Sequence, residues 1–279
     1  MVSAEHVAEH KPEDKHASEP AAGYFRSGLP YNRLGSGPRT LVIFEGLWFE
    51  NKPFPRRMAA LLNAYRFLEK DYTIYRVPRK PGLPSGYTMQ NMADDYAAMI
   101  KEEFAGPVDV IGVSTGGSIA QHFAADHPDL VRRLVLHSTA HTLGEAGGAL
   151  QWRIGELARQ RQWRKVFTAM LGFVFLPPAG IKRDVGRLAF WIAGFILALI
   201  PGMVPKDPSD CVITIEAEDK LHFKDRLSEI TAPTLVVAGD KDPFYSVTLF
   251  RETAEGIPHA RLILYPGMGH AAHGKHFRQ

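Results

Sequence analysis

The sequence predicts an α/β fold in which a mostly parallel sheet is covered by helices on both faces and interrupted by a helical insertion. Three observations carry this expectation. Short apolar runs such as Leu41–Phe44 and Val108–Val113 alternate with longer stretches of helical periodicity, the pattern of βαβ units. The second of those runs leads straight into Gly112-x-Ser114-x-Gly116, a strand-to-helix turn whose glycines let the backbone fold sharply and leave a serine hydroxyl exposed. After residue 141 the alternation stops, and it resumes only beyond residue 210.

Residues 1–22 are polar and charged, with no apolar segment of the kind a secretory leader requires, so a disordered arm and a cytoplasmic location are expected. His6, His10 and His16 in that arm have loose spacing and no ordered frame, and no metal site is expected. Leu29–Leu34, the turn Gly35–Pro38 and the run Leu41–Phe44 predict a hairpin that feeds a buried strand. A helix over Pro55–Glu69, a strand over Tyr72–Val77 and a helix over Met89–Phe104, capped by Thr88, lead to the strand Val108–Val113. A helix over Thr115–Asp126 and a strand over Arg133–His137 follow. Beyond the insertion come a strand over Pro233–Ala238, a helix over Val247–Glu255 and a strand over Arg261–Tyr265. The chain thus divides into an arm (1–22), a core (23–141 and 211–279) and a helical insertion (142–210).

Composition narrows the function. With 279 residues, 45% of them hydrophobic, the chain can bury a large core. A net charge of +3, without a basic run interleaved with aromatics, gives no reason to expect a nucleic-acid partner. A single cysteine, Cys211, excludes an internal disulfide and a thiolate metal cluster. No glycine-rich dinucleotide fingerprint follows the early strands, and no cofactor is expected.

A serine nucleophile needs a base to take its proton and a carboxylate to orient that base. Loops at the carboxyl ends of parallel strands can bring such groups together. Pro233–Ala238 runs into Gly239-Asp240-Lys241-Asp242, and Leu262–Tyr265 runs into Gly269-His270. Both loops follow predicted strands, as Ser114 does.

From about Gly23 to His270 the chain resembles the α/β-hydrolase superfamily, and in particular its cap-bearing, esterase-like and lipase-like members. Five features agree in order: the turn Glu45-Gly46-Leu47 after the third strand, the Ser114 elbow, the helical insertion after the sixth strand, the Gly239–Asp242 turn and Gly269-His270. The resemblance implies an eight-stranded sheet and the triad Ser114, His270 and Asp242. The family's Gly-x-x-Asp pattern falls on Asp242 and leaves Asp240 to cap or solvate the turn. His137 and His141 end the sixth strand, and the stretch between them holds no carboxylate that could replace Asp242. The backbone N–H groups of Thr115 and Leu47, with Trp48 as the alternative to Leu47, would then form the oxyanion hole. A serine hydrolase of hydrophobic carboxylic esters is the leading expectation. The same triad serves carbon–carbon bond hydrolases, thioesterases, lactonases and cofactor-free haloperoxidases.

Two departures favour an alternative, a binding protein on the same fold. Many relatives carry His-Gly where this chain has Glu45-Gly46, and Glu45 is expected to point away from the site and engage a donor. Only nine residues follow His270, so the helix that relatives place there is expected to be short or missing.

Between residues 151 and 206 the insertion holds nine Lys or Arg against two acids, a net of +7. Its thirteen-residue run Leu188–Ile200 is shorter than the ~18 or more apolar residues of a membrane span. Trp191 and Phe195 there, with Trp48 and His141 in the core, are the candidate pocket residues for a hydrophobic ester. Transient contact with a lipid surface through the insertion is a further expectation.

Overall fold

A computed structural model describes residues 21–55, 58–59, 63–175, 181–200 and 203–270. Among these, eight strands form one sheet: β1 (Ala22–Tyr24), β2 (Pro30–Gly35), β3 (Arg39–Phe44), β4 (Tyr72–Val77), β5 (Val108–Val113), β6 (Val131–His137), β7 (Thr234–Gly239) and β8 (Ala260–Tyr265). Their spatial order is β1-β2-β4-β3-β5-β6-β7-β8. The β1–β2 and β2–β4 pairs are antiparallel, and every other pair is parallel. Alternation along β3 shows why the sheet needs cover on both sides. Val42 and Phe44 join the main core, while Leu41 and Ile43 join a second cluster with Ile74 and Ile111.

The sheet departs from expectation at its antiparallel edge. Leu29–Leu34 does not fold back on Leu41–Phe44, because β4 lies between β2 and β3. The hairpin is instead formed by β1 and β2, and β1 takes in Ala22, which the sequence assigns to the arm. The connection after β2 is pressed against the start of β4: a Cβ on Gly37 would lie 2.0 Å from the Asp71 carbonyl carbon. The chain therefore crosses β4 before it enters β3.

Helix α1 (Met89–Glu103) starts at a reciprocal capping box between Thr88 and Asn91, a device worth about 1 kcal/mol. Helix α2 (Thr115–Asp126) leaves β5 directly. Phe44 is clamped between them, stacked on Tyr96 of α1 at 3.8 Å and edge-on to Phe123 of α2 at 5.2 Å. The continuous helix expected over Pro55–Glu69 is not formed in the described residues. Met58 and Ala59 are helical, but at Asn63 the side chain accepts from Tyr65 N–H and donates to Glu69, which offers the backbone an alternative to a helical turn. Only a short 3-10 turn, Arg66–Leu68, follows.

Between β6 and β7 the chain forms α3 (Glu145–Arg159), α4 (Trp163–Phe175), α5 (Ile181–Leu199) and α6 (Ser209–Asp219). Helix α6 straddles the expected boundary at residue 210, and its Asp210 carboxylate accepts from Gly82 N–H, Leu83 N–H and Asn51 Nδ2. These bonds tie the inserted helices to the loops at the carboxyl ends of β3 and β4. Helix α7 (Val247–Gly256), capped by Ser246, joins β7 to β8. No helix in the described residues is long and apolar enough to cross a membrane. Residues 1–20, with the three arm histidines, and 271–279, with the expected short C-terminal segment, lie outside the described residues.

Candidate active site

Strand β5 delivers Ser114 at φ 51° and ψ −124°, a backbone state that a residue with a side chain rarely adopts and that costs about 1–3 kcal/mol. Tight surroundings hold it there. Ser114 N–H donates to the His137 carbonyl at 3.0 Å, and the Ser114 carbonyl accepts from Gly117 N–H at 2.7 Å. At Gly116 a Cβ would lie 2.0 Å from the Phe44 carbonyl oxygen, so α2 can pass across the end of β3 only if this residue is glycine.

The loops after β7 and β8 meet beside Ser114. Lys241 N–H donates to the Met268 carbonyl at 2.9 Å, and Gly267 N–H donates to Asp240 Oδ1 at 2.6 Å. Asp240 thus braces the turn. The Asp242 side chain is fully buried, and its Oδ1 accepts from Phe244 N–H at 2.8 Å and from Tyr245 N–H at 3.3 Å. Its Oδ2 lies 2.8 Å from His270 Nδ1, and His270 Nε2 lies 3.0 Å from Ser114 Oγ. Phe244 and Tyr245 flank the imidazole, with ring centroids at 4.4 and 6.0 Å. Hydroxyl, imidazole and carboxylate are therefore in line, and the aromatic rings limit how far the base can swing.

The loop after β3 faces the elbow. A Cβ on Gly46 would sit 3.5 Å from Ser114 Cβ, which leaves Leu47 and Trp48 to continue past the serine. Glu45 is buried and turned towards β4, where Arg76 Nε donates to its carboxylate at 2.5 Å. Arg79 donates to the Glu45 and Gly46 carbonyls, each at 3.0 Å, and holds the loop from behind. The negative charge that the sequence puts beside the elbow is thus paired within the sheet.

The pocket residues separate. Trp48 lines an apolar cavity of about 160 Å³ with Phe49, Phe54, Met58 and Met203, and Lys52 pairs with Glu50 at its rim. His141 is committed elsewhere: its ring meets Glu252 of α7 at 2.9 Å, and its N–H donates to Thr253. Phe195, expected in the pocket, stands half-exposed on the side of α5 away from α4, while Trp191, also expected there and also half-exposed, borders that side under the Arg164 guanidinium of α4 at 5.1 Å. Sequence periodicity marks α5 as apolar without telling which side faces inward.

Two buried residues at the site lacked a sequence signal. Glu218 of α6 accepts from Thr115 Oγ1 at 2.7 Å, Ser118 Oγ at 2.7 Å and Gln151 Nε2 at 3.0 Å, directly under the elbow. Burial pushes its carboxyl above the ordinary range. It sits between Glu216 and Asp219 in the sequence, and nothing distinguishes it from those acids. Tyr245 is fully enclosed beside Ser114 and Thr139, and its hydroxyl closes no hydrogen bond of full geometry among the described residues. Burial, and then the charge of Glu218, push this phenol well above its ordinary range, so it is a donor at neutral pH.

A strained elbow serine, a loop imidazole and a loop carboxylate on a doubly covered sheet coincide with a match to the alpha/beta hydrolase family model over residues 18–278. The chain belongs to the alpha/beta hydrolase family. Among its relatives is the 2-(acetamidomethylene)succinate hydrolase of Mesorhizobium japonicum, 24% identical, with 88% of this chain and 86% of the relative covered. The proline iminopeptidase PfmaB of Pestalotiopsis fici is 28% identical over 88% of this chain and 90% of its own length. The solved enol-lactonase of Burkholderia xenovorans superposes with a TM-score of 0.67 at 18% identity, over 88% of this chain and 90% of that one, a likeness of fold alone. Among the described residues no group of histidine, cysteine and acidic side chains could hold a metal ion.

Proposed function

We propose that this alpha/beta hydrolase is a serine esterase that cleaves carboxylic esters of hydrophobic acyl groups through an acyl-enzyme. One observation carries the reading: the uninterrupted chain from Asp242 through His270 to Ser114, built on a strained elbow. In this reading Ser114 Oγ attacks the ester carbonyl while His270 Nε2 takes its proton, and Asp242 holds the imidazole by Nδ1 and stabilises the cation that forms. The N–H groups of Thr115 and Leu47 receive the oxyanion, with Trp48 as the alternative to Leu47. His270 returns the proton to the departing alcohol. Water, deprotonated by His270, then attacks the acyl carbon and releases the acid and Ser114.

The apolar cavity beside Trp48 supports the substrate class. It adjoins the loop after β3, and its aromatic and methionine walls suit an acyl chain better than a charged one. The relatives named as a hydrolase and an iminopeptidase support hydrolytic chemistry in general.

A fluorophosphonate probe tests the nucleophile. Covalent labelling of the folded chain, abolished by Ser114→Ala, is the expected result. Failure to label would favour the non-catalytic binding protein. A panel of p-nitrophenyl esters, thioesters and lactones tests the class. Turnover should rise with acyl length for the esters, and a preference for lactones or thioesters would overturn the ester assignment.

A further inference from the structure

Helix α5 is apolar around most of its circumference, yet among the described residues only one side has a partner. On that side a Cβ at Gly194 would come within 2.3 Å of Thr168 Oγ1, so the two backbones of α4 and α5 approach closely. The opposite side presents Val185, Leu188, Ile192, Phe195, Ile196 and Leu199, each between 45 and 66% exposed. Their three- and four-residue spacing makes one continuous stripe. Trp191 borders it, with the Arg164 guanidinium 5.1 Å above its ring. A contiguous apolar surface of this kind marks an interaction site.

Charge selects the occupant. Residues 151–206 carry a net +7 while the whole chain carries +3, so the remainder is net −4 and the stripe rides on the cationic part of the molecule. Beside the stripe an open groove of about 430 Å³ is lined by Arg161, Arg164, Lys165 and Trp163 together with Ala198 of α5. Cations and apolar side chains therefore share one surface. A second copy of the chain would bring two +7 segments face to face. A lipid leaflet with anionic headgroups satisfies both features.

We propose that α5 docks in the plane of an anionic lipid surface, its stripe entering the acyl boundary while Arg161, Arg164 and Lys165 meet headgroup phosphates and carboxylates. The inference does not depend on the esterase reading.

Co-sedimentation of the full chain with vesicles tests it. The chain is expected to sediment with phosphatidylcholine vesicles containing phosphatidylserine, but not with phosphatidylcholine alone, and to be released by high salt. Two variants probe the two features separately, Leu188→Gln with Leu199→Gln and Arg164→Glu with Lys165→Glu. Each should lose binding without a change in melting temperature, the second by about fivefold or more per charge. The proposal is overturned by no sedimentation at low salt, by equal binding to both vesicle types, or by binding that survives both variants. Light scattering supplies a further check: a wild-type dimer that the Leu188/Leu199 variant separates into monomers would assign the stripe to a second copy and overturn the lipid assignment.

Discussion

Glu218 and Tyr245 make the environment of Ser114 unusual at the level of single side chains. Ionising Glu218 is harder in the folded chain than in the unfolded one, so its folded value lies above the ordinary 4.5. Its contribution to stability is complete below that value and is lost as pH rises through the raised one. Glu218→Gln removes the ionisation. The difference in unfolding free energy, variant minus wild type, should therefore grow as pH climbs above 4.5, at up to about 1.4 kcal/mol per unit. Urea titrations at a series of pH values read this directly, and a difference flat in pH would show that the Glu218 carboxyl titrates alike in the folded and unfolded chain. For Tyr245 the hydroxyl is enclosed without a hydrogen bond of full geometry, so Tyr245→Phe should be at least as stable as wild type. If that hydroxyl donates when substrate arrives, the variant loses about fivefold in kcat, the worth of one neutral hydrogen bond. Unchanged turnover would confine Tyr245 to packing against His270.

Elements meet through polar ties as much as through the core. Arg76 of β4 neutralises Glu45 at the end of β3, both nearly fully buried. Arg76→Met would leave that carboxylate unpaired, and a loss of about 3–5 kcal/mol in stability is expected by chemical denaturation. Adding Glu45→Gln should recover most of it, because the enclosed charge is gone. This tie also explains a limit of the sequence. Glu45 reads as a hazard beside the elbow because its partner lies 31 residues away on a neighbouring strand, and no periodicity encodes that pairing. Strands β3 to β8 and helices α1, α2 and α7 were legible because apolar runs, helical periodicity and, for α1, Thr88 mark them locally. The break at Asn63 was not, since it depends on one side chain choosing Tyr65 and Glu69 over a helical turn.

For the molecule as a whole, burial is graded from the middle of the sheet outwards. Val42, Ile43 and Phe44 of β3 are essentially inaccessible, whereas α5 carries most of the large apolar side chains that are exposed among the described residues. Amide hydrogen exchange should accordingly be slowest in β3 and β5 and fastest along α5, and comparable protection in both would contradict the gradient. The grouping of Ser114, Asp242 and His270 was legible because strand-end loops converge in a parallel sheet, a rule that needs only element order. The bare side of α5 was not, because it is set by the approach of Gly194 to Thr168. The meeting of His270 with Ser114 spans 156 positions of chain. Nucleophile and base can meet only when β5 and β8 stand in one sheet with β6 and β7 between them. On refolding from denaturant, reactivity at Ser114 should arrive as a late event, behind protection of β3 and β5, and its lag would clock closure of the entire sheet.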